Sequence, residues 1–193
     1  MNGQTPSETL HWFIQAGKLL FGRGLVSSHS GNLSQRWKDK LYITRTGSSL
    51  PLFSETDLIL TGLDHNDQFT PLASSELPVH RAIYRRTSAK AIVHAHPPYA
   101  AALSLLEGEI IPNCGEGLYC LGAIPVIGFG ERVQPGSLAE EVATALETHR
   151  VIVVAGHGSF ATGENIEEAL KYTFALEEMC QVTYLARILK KAD

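Results

Sequence analysis

The chain predicts a mixed or largely antiparallel sheet covered by helices, and three observations carry that reading. Short β-branched runs come early as a hairpin and recur later among helical segments, without the regular alternation of a βαβ winding. No Gly-x-Gly-x-x-Gly follows a strand and opens a helix, and no Gly-x-x-x-x-Gly-Lys-Ser/Thr occurs, so neither a dinucleotide nor a P-loop site is supported. Finally, 193 residues with 44% apolar content and a net charge of -4 suit a globular protein. Such a chain forms one domain over residues 1–193 and buries roughly 70% of the surface its unfolded form exposes.

The elements follow in order. Leu10, Phe13, Ile14, Gly17, Leu20 and Phe21 keep helical spacing after a Ser7 cap, giving an amphipathic helix that ends near Gly22 and Gly24. Leu33–Trp37 and Leu41–Thr44 flank Lys38-Asp-Lys40 and read as a hairpin, and Leu58–Leu60 as a further strand. A helix is predicted from Ser75 to Thr87, then a strand over Ala91-Ile-Val-His-Ala-His96 stopped by Pro97 and Pro98, then a helix from Tyr99 to Leu106. Pro125 makes the run Ala123–Ile127 an edge or irregular strand. Ser137 caps a helix to His149, Val151–Ala155 and Ser159–Thr162 pair around Gly156-His-Gly158, and a closing helix runs from Ile166 to Leu189. Its apolar face includes Phe174, Leu176, Met179, Cys180, Leu185 and Ile188.

Charge and cysteine usage exclude several function classes. No basic stripe offers a nucleic-acid footprint. Cys114, Cys120 and Cys180 make an odd count without zinc-ribbon spacing, which argues against a disulfide framework and for a reducing compartment, the cytoplasm. Neither a signal peptide nor a membrane span is supported by the apolar pattern.

His94 and His96 are the most informative pair, because side chains two apart on a strand share a face and two imidazoles there can grip one metal ion. His157, among glycines at the end of another β-branched run, offers a third nitrogen, and three histidines with an open position describe a catalytic Zn²⁺ site. A His-x-His pair also occurs as two hydrogen-bonded imidazoles without metal, and spacing alone leaves both readings open. Ser30-Gly-Asn-Leu-Ser34, Thr44-Arg-Thr-Gly-Ser-Ser49 and Ala73-Ser-Ser-Glu76 are rich in hydroxyl, amide and backbone donors that hold anions, although each alone is ordinary turn and cap chemistry. Glu76, placed in the first helical turn, is stabilised there as an anion by the helix dipole unless burial opposes it. It can serve as ligand, base or both.

Taken together and in order, Ser-Gly-Asn-Leu-Ser at 30–34, Thr-Arg-Thr-Gly at 44–47, Ser-Ser-Glu at 74–76, His-Ala-His-Pro at 94–97 and Gly-His-Gly at 156–158 resemble the class II aldolase/adducin family, above all its fuculose-1-phosphate aldolase branch. The resemblance implies a three-layer α/β/α fold around a central, mainly antiparallel sheet, and cyclic homotetramers with sites at subunit contacts. It implies that His94, His96 and His157 bind zinc, with Mn²⁺ or Co²⁺ as substitutes, and that Glu76 is the catalytic glutamate and an additional metal ligand when substrate is absent. Asn32, Thr46, Gly47, Ser74 and Ser75 match the positions that hold a sugar phosphate, with Ser30 and Gly31 shaping the first loop.

The activity so implied is cleavage of a ketose 1-phosphate to dihydroxyacetone phosphate and an aldehyde through a zinc-stabilised enediolate. The chain departs from the pattern in three places. No tyrosine aligns after Ile111-Pro112, where Glu116 or Tyr119 could take part in protonating the aldehyde oxygen or be ordinary loop residues; the chain ends at Asp193 without the tail that supplies another tyrosine in relatives; and Arg45 stands where relatives often carry proline. Alternatives are a sugar-phosphate dehydratase of the methylthioribulose-1-phosphate type, a decarboxylase acting on an aromatic or hydroxy acid without phosphate, and a non-catalytic adducin-like interaction module. A pentulose-phosphate 4-epimerase lacks its additional acid and base residues here.

Overall fold

Helix α1, Pro6–Gly22, opens not on Ser7 but on Thr5 in the computed structural model, which describes residues 5–112, 119–130 and 137–191. The Thr5 hydroxyl accepts the Glu8 N–H at 3.3 Å and the Glu8 carboxylate accepts the Thr5 N–H at 2.6 Å. This reciprocal box satisfies two backbone donors that Ser7, already inside the first turn, cannot reach.

The predicted hairpin forms as β1, Asn32–Trp37, and β2, Lys40–Thr44, and β3, Leu58–Gly62, adds to β2. Strands β4 (Ala91–Ala95), β5 (Glu109–Ile110), β6 (Ile124–Ile127), β7 (Val151–Val154) and β8 (Gly158–Gly163) complete an eight-stranded sheet in the order β3-β2-β1-β4-β8-β7-β6-β5. Every pairing is antiparallel except β6 with β7. Pro125 therefore does not mark an edge. It faces Glu109 of the two-residue β5, and the neighbouring Val126 N–H makes the bond to Gly108 that proline cannot.

Alternation along the buried strands sorts two layers of helix. From β4, Ile92 packs with Leu41, Ile43, Ile83, Val142, Ile152 and Phe160 beneath α2 (Leu77–Arg86) and α4 (Leu138–Ala145). Its neighbours Ala91, Val93 and Ala95 pack on the other face with Phe13, Leu20, Leu33 and Ile166 beneath α1 and α5 (Ile166–Lys191). A third cluster, including Leu103, Ile124, Val153, Leu176 and Met179, joins α3 (Pro98–Ser104) to α5. Each such fully buried aliphatic side chain stabilises the layers by about 1.5–3 kcal/mol relative to exposure.

Helix limits differ from the predicted ones where local bonds override the apolar spacing. The helix read from Ser75 begins at Leu77, because Ala73 bridges to Arg45, Ser74 N–H is bonded to Thr44 O at 2.9 Å, and Ser75 and Glu76 form a turn closed by Leu77 N–H on Ser74 O at 3.0 Å. The one read to His149 stops at Ala145, whose carbonyl accepts the His149 ring N–H at 2.9 Å. On α5, Leu185 and Ile188 are each 47% exposed rather than part of the core, since the last turns extend past the sheet.

Candidate metal and anion site

A single rung of the sheet sets the site. Asn32 of β1, His94 of β4 and Phe160 of β8 lie directly opposite one another, so their side chains share the α2 face. His96 follows His94 on the same face, past the strand end, where its N–H bonds Leu25 O at 2.7 Å. His157 comes from the turn between β7 and β8. That turn approaches β4 so closely that a Cβ on Gly158 would lie 2.4 Å from Ala95 O, which only glycine permits.

One nitrogen from each of His94, His96 and His157 lies within 4.8 Å of the others. The His94 Nδ1–H donates to Ser159 O at 2.9 Å, which fixes the tautomer and leaves its Nε2 as a lone-pair donor facing His96 Nε2 at 3.1 Å. Burial lowers the proton affinity of His94 well below the usual imidazole range and, with the nearby His157, lowers that of His96. Neutral rings with converging lone pairs suit a divalent cation, and three nitrogens leave a position open for substrate. Phe160 stacks on the His94 ring at 4.2 Å between centroids, and Glu177 of α5 accepts the Tyr99 and Ala100 N–H groups at 3.0 and 3.1 Å, tying down the segment that follows His96.

Glu76 precedes α2 rather than lying in its first turn, and its Oε1 lies 3.9 Å from His157 Nε2. Its proton affinity is raised, chiefly by burial, with His157 opposing; the helix dipole does not dominate. Across the cavity stand Ser30, Gly31, Asn32, Thr44, Thr46, Gly47, Ser74 and Ser75. Gly31 adopts φ +77°, and a Cβ there would meet Val26 Cγ1 at 2.6 Å and His94 O at 2.9 Å, so the first loop needs glycine to pass the metal strand. The cavity, of about 260 Å³, holds the histidines, Glu76 and these donors together.

The model of the class II aldolase and adducin N-terminal domain matches residues 12–184. The chain belongs to the class II aldolase/adducin family. An L-fuculose phosphate aldolase of Methanocaldococcus jannaschii is 33% identical over 93% of this chain and 97% of its own length. A 3-oxo-tetronate 4-phosphate decarboxylase of Haemophilus influenzae is 32% identical over 89% of this chain and 84% of its own. The crystal structure of an L-fuculose-1-phosphate aldolase from Thermus thermophilus superposes with a TM-score of 0.89 at 35% identity, covering 96% of this class II aldolase chain and 97% of that one.

The metal, glutamate and anion-site residues singled out in the sequence all line this one cavity: Glu76, His94, His96, His157, Ser30, Gly31, Asn32, Thr46, Gly47, Ser74 and Ser75. Arg45 and His29 line it too, although His29 carried no earlier signal beyond its place before Ser30. Glu116 and Cys114 lie outside the described residues, and Tyr119 is 95% exposed and away from the cavity lining. Cys120 and Cys180 are free thiols. No helix among the described residues is long and apolar enough to cross a membrane. Sequence reasoning missed His80, Phe160 and Glu177, whose relation to the site depends on packing across distant segments.

Proposed function

We propose that the chain is a metal-dependent aldolase that cleaves a fuculose-1-phosphate-like ketose 1-phosphate to dihydroxyacetone phosphate and an aldehyde. The observation that carries this reading is the sharing of one cavity by a three-histidine set, a half-buried carboxylate and a wall of anion donors. His94, His96 and His157 would hold Zn²⁺, which when bound supplies Lewis-acid polarisation of a carbonyl and neutralises the charge that develops on carbon-carbon cleavage. Ser30, Asn32, Thr46, Gly47, Ser74 and Ser75 bind the phosphate and so fix the distance of the reacting carbons from Glu76. Glu76, whose raised proton affinity suits it to both accept and return a proton, serves the carbon adjacent to the carbonyl.

The exposed Val182, Leu185, Ile188 and Leu189 on α5 support assembly into a homo-oligomer, which we assign as a homotetramer in the cytoplasm. The decarboxylase among the relatives favours a second reading, loss of CO₂ from a 3-oxo acid phosphate, which needs the same metal and phosphate wall. A coupled assay for dihydroxyacetone phosphate across a panel of ketose 1-phosphates, with product masses recorded, separates the two. Dihydroxyacetone phosphate with an aldehyde is the expected pair. Release of CO₂ or water without it from the matching substrates would replace cleavage by decarboxylation or dehydration.

A further inference from the structure

Behind the cavity wall, a chain of buried polar groups runs from α2 to Asn32. The Tyr84 hydroxyl lies 2.8 Å from Ser34 Oγ, Ser34 Oγ lies 2.6 Å from His80 Nδ1, and His80 Nε2 lies 2.6 Å from Asn32 Oδ1. His80, Ser34 and Tyr84 are 0%, 0% and 2% exposed, so no solvent competes for these bonds. We propose that His80 is a positioning residue for the anion site: its Nε2–H holds the Asn32 amide with its oxygen inward, so that both amide N–H groups face the cavity.

The direction of the chain follows from its ends. A neutral imidazole has one donor and one acceptor, so the two ring bonds must have opposite polarity. With Nε2–H donating to Asn32 Oδ1, Nδ1 accepts from the Ser34 hydroxyl and Ser34 Oγ accepts from Tyr84 O–H, and every proton has an acceptor. Reversed, Tyr84 O–H would need a second acceptor, and its hydroxyl has no partner but Ser34 among the described residues. Reversal would also aim the Asn32 carbonyl oxygen at the wall where an anion is to bind. In the forward direction, the Asn32 NH₂ group has no protein partner among the described residues and is left for a ligand oxygen in the cavity that Asn32 lines. A buried hydrogen-bond chain of fixed polarity thus converts an amide that could flip into a preset donor.

The same ring secures the metal side. His80 meets Phe160 edge-on at 6.1 Å, and Phe160 stacks on His94. One imidazole thereby touches both neighbours of His94 on its rung, the donor of the anion site in β1 and the stacking ring in β8.

This inference rests on the phosphate-binding reading of the cavity, and its test separates the two. Long-range ¹H–¹⁵N correlation spectra of the unsubstituted protein report the His80 tautomer directly, and Nε2–H is the expected form. Calorimetric titration of the zinc-loaded protein with inorganic phosphate is then compared with His80→Asn, which keeps a polar atom near Nδ1 but removes the Nε2 donor, and His80→Gln, which reaches the Nε2 position. The Asn variant should bind phosphate about tenfold or more weakly with metal content unchanged, as expected for a lost donor to a charged group, whereas the Gln variant should stay within about threefold. An Nδ1–H tautomer, or phosphate affinity in the folded Asn variant equal to that of the unsubstituted protein, overturns the role of His80. If the unsubstituted protein itself takes up no phosphate while the tautomer is Nε2–H, the anion-site reading fails and the proposal with it. Should His80→Asn not fold, the tautomer decides.

Discussion

Replacing Phe160 with alanine tests whether packing, and not only ligand identity, prepares the metal site. The ring is fully buried, stacks on His94 at 4.2 Å and 21°, meets His80 edge-on, and belongs to the cluster beneath α2 and α4. Truncating a buried phenylalanine costs about 3–5 kcal/mol, from lost transfer energy and from the cavity left behind. At roughly 2–4 °C per kcal/mol for a chain of this size, the chelator-treated protein should melt about 6–20 °C lower. His94 keeps its bond to Ser159 O but loses the surface against which its ring rests, so zinc affinity should fall about 10–100-fold, the range seen when groups that orient a ligand are removed. Thermal unfolding in chelator and competition titration with a zinc indicator measure the two effects separately. A variant that loses stability but binds zinc as tightly as before would refute the packing argument and leave the Ser159 carbonyl as sufficient to orient the ring.

The remaining predictions concern the carboxylate, the loop glycine and acid stability. Glu76→Gln should retain zinc in elemental analysis while turnover drops about 10²–10⁴-fold, the usual contribution of a positioned acid–base group; normal turnover removes Glu76 from proton transfer. Gly31→Ala forces a side chain into the left-handed region, at about 1–2 kcal/mol before any clash, and pushes on His94 O, so both melting temperature and zinc affinity should fall; an unchanged melting curve contradicts the tight passage. Burial lowers the His80 pKa from 6.5 to about 3. Between those values the unfolded chain binds the extra proton, so the stability this ring confers is fully present above pH 6.5 and is lost as pH falls toward 3, by up to about 1.4 kcal/mol per pH unit. Urea unfolding of the chelated protein at pH 7.5 and 5 should therefore show a shallower loss in His80→Gln than in the unsubstituted protein, and equal losses would show that His80 is not buried uncharged.

The parts of the site legible in sequence were those whose chemistry is local. His94 and His96 announce themselves because a two-residue spacing on a strand suffices to place both on one face, and Gly156 to Gly158 mark a turn whatever the rest of the chain does. The hairpin, the pairing of β7 with β8 and the absence of a regular βαβ winding followed from period and turn residues alone, whereas the one βαβ unit, β6-α4-β7, was not foreseen. His80 was invisible for the opposite reason. Within α2 it reads as one more residue of an amphipathic helix, and its importance arises only because β1 pairs with β4 and turns Asn32 and Ser34 toward α2. Phe160 likewise reads as core until β8 lies beside β4. Glu76 misled in detail: its dipole stabilisation presupposed a helix starting earlier, whereas the Ser74 bond to Thr44 delays that start and burial governs the carboxyl group. The Pro125 strand misled because a two-residue neighbour, too short to signal itself, lies outside it.

The pairing of Asn32 with His94 gives folding and function a common checkpoint. Side-chain direction alternates with every step along a ladder, so a chain that joined β1 to β4 one residue out of step would turn its amide away from the ion and its aliphatic residues toward solvent together. Misassembled molecules would be blind to zinc and to phosphate alike. On the proposed function, uptake of both ligands is thus an assay of correct strand alignment, usable on unpurified refolding mixtures before any substrate has been identified.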